Sequence, residues 1–94
     1  MSLTLDSVVT AAHDHLASDL PDETVILSLT QGTYFGVDGV ARDVWRLIQR
    51  PTPVRAVRDA LSEQYDAPPS EIERDLFAFL EELQASHLLT IEQS

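Results

Sequence analysis

The sequence predicts an α+β fold in which β-strands come first and three helices follow. Two alternating apolar segments flank a Gln-Gly pair at residues 31 and 32, as is typical of a β-hairpin. Three later segments carry apolar residues at helical spacing. The chain has 94 residues, of which 44% are hydrophobic, and this suffices for one core but not for two. We therefore expect a single domain over residues 1–94.

The predicted hairpin joins residues 24–30, which are rich in β-branched side chains, to residues 33–37. Gly32 supplies the positive φ that a tight turn requires. Because side chains alternate along a strand, Tyr34 and Phe35 point to opposite faces, and only one of them faces the core. Which one does so is not decided by the sequence.

Two further segments have weaker strand character. Residues 7–16 have mixed periodicity and are predicted as one weak strand or an irregular lead-in. Residues 88–91 are short, apolar and β-leaning. This last segment either adds a strand or covers the core.

The first helix is expected over residues 39–50, with Asp38 as its N-cap and Pro51 as its stop. Apolar residues recur along one side of this segment, which is therefore the buried side. The other side carries three of the six cations of the chain in one stripe, at Arg42, Arg46 and Arg50.

Proline and capping residues mark the starts of the other two helices. Thr52 is expected as an N-cap with Pro53 at the first helical position of the second helix. The stretch Ser70–Glu73 reads as a capping box, and the third helix then continues to about Ser86. Strands followed by three helices are the order expected of a winged-helix-like domain.

Charge and composition exclude several classes of protein. Six Arg, no Lys and 16 acidic residues give a net charge of -10, the opposite of what a nucleic-acid-binding protein needs. The absence of Cys excludes thiol nucleophiles, disulfides and Cys-based zinc sites. The N-terminus lacks the basic start of a secretory signal, and no apolar run reaches the ~20 residues of a membrane span. We expect a cytoplasmic protein without a membrane partner.

Catalytic constellations are also missing from the sequence. His13, Asp14 and His15 are the nearest approach to a metal cluster, but alternate residues on a strand point to opposite faces. No G-x-S-x-G elbow and no glycine-rich phosphate loop occurs. The sequence therefore predicts no enzyme activity, no metal and no cofactor.

A peptide-binding role follows from the hairpin if its second strand lies at a sheet edge. Unpaired backbone groups of residues 33–37 would then form a template for an added strand. Phe77 lies off the centre of the apolar face of the third helix, so it is either a shoulder of the core or the lining of a groove. The alternative for the hairpin is a simple structural wing.

These features resemble a known family. The stretch Val25–Asp38, followed by Ala41, Val44-Trp45 and the terminal Leu88-Leu89, is similar to PqqD-like proteins. It is most similar to the recognition elements of ribosomally synthesised peptide pathways, particularly the stand-alone leader-binding proteins of lasso-peptide clusters. The resemblance implies a winged helix-turn-helix with a three-stranded antiparallel sheet followed by three helices.

The resemblance also implies a binding site and partners. The leader peptide of a precursor would add as a strand antiparallel to the second hairpin strand, against the third helix. The protein would deliver this precursor to a leader peptidase and to a macrocyclase of the same pathway. By position, the residues that would contact the leader are Thr33, Tyr34, Phe35, Gly36 and Val37 on the strand and Asp75, Phe77 and Ala78 on the helix.

Three alternatives remain open at this point. A PqqD-type chaperone would serve a radical SAM enzyme instead of a peptidase. A winged-helix DNA-binding regulator would use the arginine stripe of the first helix. A dimerisation module would pair the exposed strand with its own copy; we expect a monomer or a weak homodimer.

Overall fold

The computed structural model describes residues 3–92, which form six strands and three helices. No helix within residues 3–92 is both long enough and apolar enough to cross a membrane. The strands are β1 (Val8–Ala11), β2 (His15–Asp19), β3 (Thr24–Ser28), β4 (Tyr34–Val37), β5 (Thr52–Pro53) and β6 (Leu89–Glu92). The helices are α1 (Gly39–Leu47), α2 (Val54–Gln64) and α3 (Pro69–Ala85).

The strands form two antiparallel three-stranded sheets, in the orders β5-β1-β6 and β2-β3-β4. The expectation of one three-stranded sheet followed by three helices was therefore wrong in its strand count and order. The segment 7–16, expected as one weak strand, is divided between the two sheets. The division falls between Ala12, whose N–H donates to the carbonyl of Leu88, and His15, whose N–H donates to the carbonyl of His13.

Strands β5 and β6 lie far from β1 in sequence but pair with it in space. Val9 lies opposite Thr52 on one side and opposite Ile91 on the other. The apolar segment 88–91 thus does add a strand. Because β5 has only two residues, its pairing with β1 carries no periodic signal in the sequence.

The starts of α2 and α3 differ from the expected caps. Thr52 does not cap α2, because its hydroxyl donates to the carbonyls of Leu47 and Arg50 while its backbone pairs in β5. Pro53 takes the N-cap position of α2, and Pro68 takes that of α3. Ser70 lies inside α3, so the predicted capping box is wrong.

The first helix begins as expected and ends earlier than expected. Asp38 is the N-cap of α1, although its side chain forms no capping hydrogen bond. The helix ends at Leu47, three residues before the predicted end at residue 50. The predicted end of α3 at about Ser86 is close to the observed Ala85.

The core lies between the two sheets and the three helices. Val9 comes from the first sheet, Ile26 from the second and Leu80 from α3, and each is 0% exposed. Trp45 of α1 is 3% exposed and forms a T-shaped contact with the His15 ring, with ring centroids 5.0 Å apart. This contact holds α1 against β2.

Candidate peptide-binding site

Strand β4 lies at the edge of its sheet, since β3 is its only strand neighbour within residues 3–92. The N–H of Ser28 donates to the carbonyl of Thr33, which makes this pair a hydrogen-bonded one. Bonded and non-bonded pairs alternate in an antiparallel ladder, so Phe35 and Val37 also bond to β3. The backbone N–H and C=O groups of Tyr34 and Gly36 therefore point away from β3, to the free edge.

The two faces of β4 differ in burial, which decides the orientation of the hairpin aromatics. Val37 is 3% exposed and Phe35 packs against the core cluster. Tyr34 is 73% exposed on the opposite face. Phe35 is thus the core aromatic, and Tyr34 is left for solvent or a partner.

Helix α3 contacts the hairpin near its own C-terminus, and near its middle it shares a pocket with the start of α1. Near its C-terminus, the carbonyl of Ser86 accepts a hydrogen bond from Ser28 Oγ at 3.2 Å. Near its middle, Phe79 shares a pocket with Val40, just beyond the end of β4. The space between β4 and this part of α3 is the candidate site.

Two small pockets lie between α1 and α3 at one end of this space. Each is lined by Val40 and Asp75. One, of 180 Å³, continues between Val44 and Phe79, and the other, of 190 Å³, continues towards Tyr65 and Ile72. The pockets are mostly apolar with a carboxylate at the rim, an arrangement that suits apolar side chains of a peptide.

The expected helix residues do not all lie on this side of α3. At ~100° per residue, Ala78 and Phe79 lie about 60° and 40° from Asp75, whereas Phe77 lies about 160° away. Phe77 is half-buried against the core and lines neither of the two pockets. Its binding role stays a prediction, and the geometry favours Phe79 in its place.

Sequence reasoning missed Phe79 because its spacing also fits the apolar face of α3. The signal that separates a pocket-lining residue from a core residue here is the i, i+4 relation between Asp75 and Phe79. It places an aromatic ring beside a charged, exposed position. Such a pair marks the border of a buried face. Only the packing of α1 against α3 shows that this border lines pockets.

The arginine stripe of α1 is partly used inside the protein. Arg42 donates to Thr24 Oγ1 at 3.1 Å and to the carbonyls of Leu20 and Pro21. It also lies 3.7 Å from Asp19. These bonds tie α1 to the turn between β2 and β3, so Arg42 is not free to contact a phosphate backbone.

The same turn holds a perturbed carboxyl group. Thr24 Oγ1 donates to Asp19 at 2.6 Å, and this hydrogen bond is the main reason why the pKa of Asp19 lies below its ordinary value of 3.8. The positive charges of Arg46 and Arg42 lower the pKa of Asp19 further.

The pocket wall is also supported by polar contacts between α1 and the end of α2. The Tyr65 hydroxyl donates to Asp43, and Gln64 donates to the same carboxylate at 3.2 Å. The bond to Asp43 raises the pKa of Tyr65 above its ordinary value of 10.0. Tyr65 is thereby held at the mouth of one pocket.

The His13-Asp14-His15 stretch is spread over a bend and a strand. His15 Nδ1 lies 2.6 Å from the carbonyl of Ala12, and its ring packs on Trp45, while His13 is exposed. Within the part of the chain that the structure describes, no three His, Asp or Glu side chains are placed to share a metal ion.

Comparison with known proteins gives this architecture a family. The sequence pattern of coenzyme PQQ synthesis protein D (PqqD) matches residues 23–89, which include the hairpin, all three helices and the candidate site. The chain belongs to the PqqD family. This confirms the resemblance drawn from the sequence. No curated protein sequence matches the chain significantly.

Two solved structures share the fold of this PqqD-family protein. TbiB1 in complex with the TbiA(β) leader peptide is 32% identical, with a TM-score of 0.79 over 85% of this chain and 93% of that one. Lasso peptide synthetase B1 complexed with the leader peptide has a TM-score of 0.76 over 87% of this chain and 96% of that one. At 16% identity, the second likeness concerns the fold alone.

Proposed function

We propose that this protein binds the leader peptide of a ribosomally synthesised precursor as an added strand on β4, and that it has no catalytic activity of its own. The observation that carries the proposal is the free edge of β4, where Tyr34 and Gly36 present unpaired backbone groups. The complex of the 32% identical TbiB1 with a leader peptide supports the ligand class. Main-chain pairing supplies affinity, and the pockets beside it supply selectivity.

The register of β4 defines how such a peptide is read. A peptide antiparallel to β4 bonds to Tyr34 and Gly36, so its residues opposite these two point to the outer face. Its residues opposite Phe35 and Val37 point inwards, to α3. The segment that precedes the added strand then lies beside Val40 and the two α1–α3 pockets. We thus propose that apolar residues at alternate positions, and just before the strand, make up the bound motif.

An exposed apolar row on the outer face of the β2-β3-β4 sheet supports presentation of the bound precursor to a maturation enzyme. Leu16, Leu27 and Tyr34 lie side by side across β2, β3 and β4. Leu16 is 61% and Tyr34 is 73% exposed. An added strand would extend this apolar row, so an enzyme that docks on it contacts protein and peptide together. We propose that this enzyme is the leader peptidase of a lasso-peptide pathway, followed by its macrocyclase, in the cytoplasm where the precursor is made.

The fold supports a relation to winged helix-turn-helix domains. We infer that hairpin β3–β4 corresponds to the wing and that α1 to α3 correspond to the three helices. The wing would bind peptide rather than DNA, because Arg42 is occupied by internal hydrogen bonds and the net charge is -10.

Amide shifts of the isotope-labelled protein during titration with the leader of the precursor encoded beside this gene test the proposal. We expect the largest shifts at residues 33–37 and along the Asp75–Glu82 side of α3, and none with a scrambled peptide. Saturable shifts confined to another surface, with β4 unchanged, would refute strand addition.

One alternative partner is favoured by the family match itself, because PqqD is named for coenzyme PQQ synthesis. In that case the bound precursor is delivered to a radical SAM enzyme. Co-purification of the tagged protein with each maturation enzyme of its gene cluster, with and without leader peptide, distinguishes the two. Peptide-dependent retention of a peptidase supports the lasso assignment, and retention of a radical SAM enzyme contradicts it.

A further inference from the structure

We propose that Glu23 selects peptides that carry Lys or Arg at the position opposite Gly36. This inference rests on the proposed strand addition to β4 and adds a charge requirement to it. The three observations behind it are the place of the Glu23 carboxylate, its lack of an ionic partner and the geometry of the free edge.

The carboxylate of Glu23 lies over the outer face of Gly36. A Cβ placed on Gly36 would lie 2.9 Å from Glu23 Oε2 and 3.7 Å from its Cδ. Glu23 immediately precedes β3, diagonal to the Val25–Gly36 pair, and its side chain is long enough to reach across. The missing side chain of Gly36 thus leaves room for a negative charge at the edge strand.

This carboxylate has no cation of its own within residues 3–92. The arginines that form ion pairs do so with Asp6, Asp19, Asp59, Glu71, Glu73 and Asp75. Glu23 is half-buried, and its side chain forms no hydrogen bond in the described part of the chain. A partly desolvated carboxylate without a partner favours a cationic donor, because a charge-assisted hydrogen bond replaces the hydrogen bonds to water that the carboxylate has lost.

A bound strand brings a side chain to this carboxylate. The peptide residue opposite Gly36 points to the outer face, and directly opposed Cβ positions lie about 5 Å apart. The Glu23 oxygen lies 2.9 Å from the Cβ position at Gly36, so it is within reach of an ammonium or guanidinium group on that peptide residue. The protein's net charge of -10 adds a general attraction for basic peptides.

The ligand class follows from these points together. It is an extended peptide with apolar residues at the inward positions and Lys or Arg at one outward position. Because the peptide runs antiparallel to β4, this basic residue precedes the residue opposite Tyr34 by two positions. General attraction would favour basic residues anywhere, whereas Glu23 favours them at this one position.

A phage-displayed library of random 12-residue peptides, selected separately on the wild-type protein and on Glu23→Gln, tests the proposal. We expect wild-type selection to enrich alternating apolar peptides with Lys or Arg at one outward position. Selection on Glu23→Gln should keep the apolar alternation and lose the basic preference. Glu63→Gln on α2 removes the same charge from an exposed site and is the matched control, which should behave as wild type.

The affinity of one selected peptide for each variant then measures the interaction between Glu23 and the basic residue of the peptide. Glu23→Gln should weaken binding of the Lys peptide about fivefold, as a partly screened ion pair would, and should leave its Lys→Gln analogue unaffected. Glu23→Lys should restore binding to the Lys→Glu peptide. An equal loss for both peptides, or a basic preference that survives Glu23→Gln, would overturn the Glu23 assignment while leaving strand addition intact. If Tyr34→Pro does not abolish binding of the selected peptides, strand addition itself fails.

Discussion

Ile26 and Phe35 lie directly opposite each other in the β3–β4 hairpin, and their backbones exchange hydrogen bonds. Ile26 is fully buried and Phe35 packs against the core. This pairing uses the N–H of Phe35 inside the hairpin and turns the N–H groups of Tyr34 and Gly36 to the free edge. Along β4, backbone N–H groups therefore alternate between bonding inside the hairpin and pointing to the free edge. Substitutions that remove an inward N–H test folding, and those that remove an outward N–H test binding.

Tyr34→Pro is expected to abolish peptide binding and to leave the protein folded. Proline removes the outward N–H of an edge strand, a position where the sheet loses no hydrogen bond. The affinity for the leader peptide and the amide spectrum of the free variant measure the two effects. Tyr34→Ala, which keeps the N–H, is the control and should weaken binding much less.

Phe35→Pro is expected to disrupt the fold instead. It removes the N–H that bonds to Ile26 and a half-buried ring from the core, and each change is destabilising. The free energy of unfolding in urea should fall by about 3 kcal/mol or more. A stable Phe35→Pro variant that has lost only peptide affinity would show that the ladder alternates in the opposite sense.

Phe79→Ala and Phe77→Ala separate the two flanks of α3. Phe79 lines a pocket with Val40 and Val44, so its removal should weaken leader binding about tenfold, as for a buried aromatic anchor. Both rings pack against the core, so removal of either should lower stability, but Phe77 lines neither pocket and its removal should leave the affinity unchanged. Isothermal titration calorimetry on both variants, with thermal unfolding of each, makes the comparison. The reverse pattern would reinstate Phe77 as the binding residue.

Thr24→Val is expected to raise the pKa of Asp19 towards 3.8, because the hydrogen bond from Thr24 is the main cause that lowers it. Carbon-detected NMR titration of the Asp19 carboxyl measures the pKa. A lowered pKa stabilises the folded state above the unfolded-state pKa of about 3.9, and this contribution is lost as pH falls through the folded-state pKa. The variant should therefore lose less stability on acidification.

Arg42→Met is the companion variant for this carboxyl group. It removes two smaller causes of the lowered pKa, the charge of Arg42 and its hydrogen bond to Asp19, so it should shift the pKa of Asp19 less than Thr24→Val does. A larger shift in Arg42→Met would mean that charge, and not the threonine hydroxyl, holds the pKa of Asp19 down.

His87→Gly is expected to stabilise the protein. His87 has φ 61°, a left-handed conformation, and the next residue closes the end of α3 with a bond from the Leu88 N–H to the carbonyl of Leu83. Glycine adopts this conformation without steric cost, so the free energy of unfolding should rise by up to about 1 kcal/mol. Urea unfolding of His87→Gly and His87→Val checks the sign, since the β-branched valine should destabilise the protein. Equal stabilities would contradict a strained turn.

Two signals that span only a few residues were confirmed by the structure. The positive φ of Gly32 and the N-cap position of Asp38 were both expected and both occur. Turn chemistry and alternation act between neighbours, so a single sequence carries them. The predicted N-caps at Thr52 and Ser70 were wrong. Thr52 pairs with β1 as part of β5, and α3 begins at Pro69, two residues before the start that an N-cap at Ser70 would give.

The sequence by itself determined the α+β class, the hairpin and the three amphipathic segments, since periodicity, turn residues and composition are local or summed properties. The family came instead from the resemblance of particular stretches to known proteins, which the match over residues 23–89 confirmed. Only the tertiary structure decided that the strands form two sheets, that β4 is an edge, that Phe35 rather than Tyr34 faces the core, and that Phe79 lines a pocket beside α1. These facts depend on pairing and packing between residues far apart in the chain. Several such arrangements are compatible with the same local pattern, and burial of one common core selects among them.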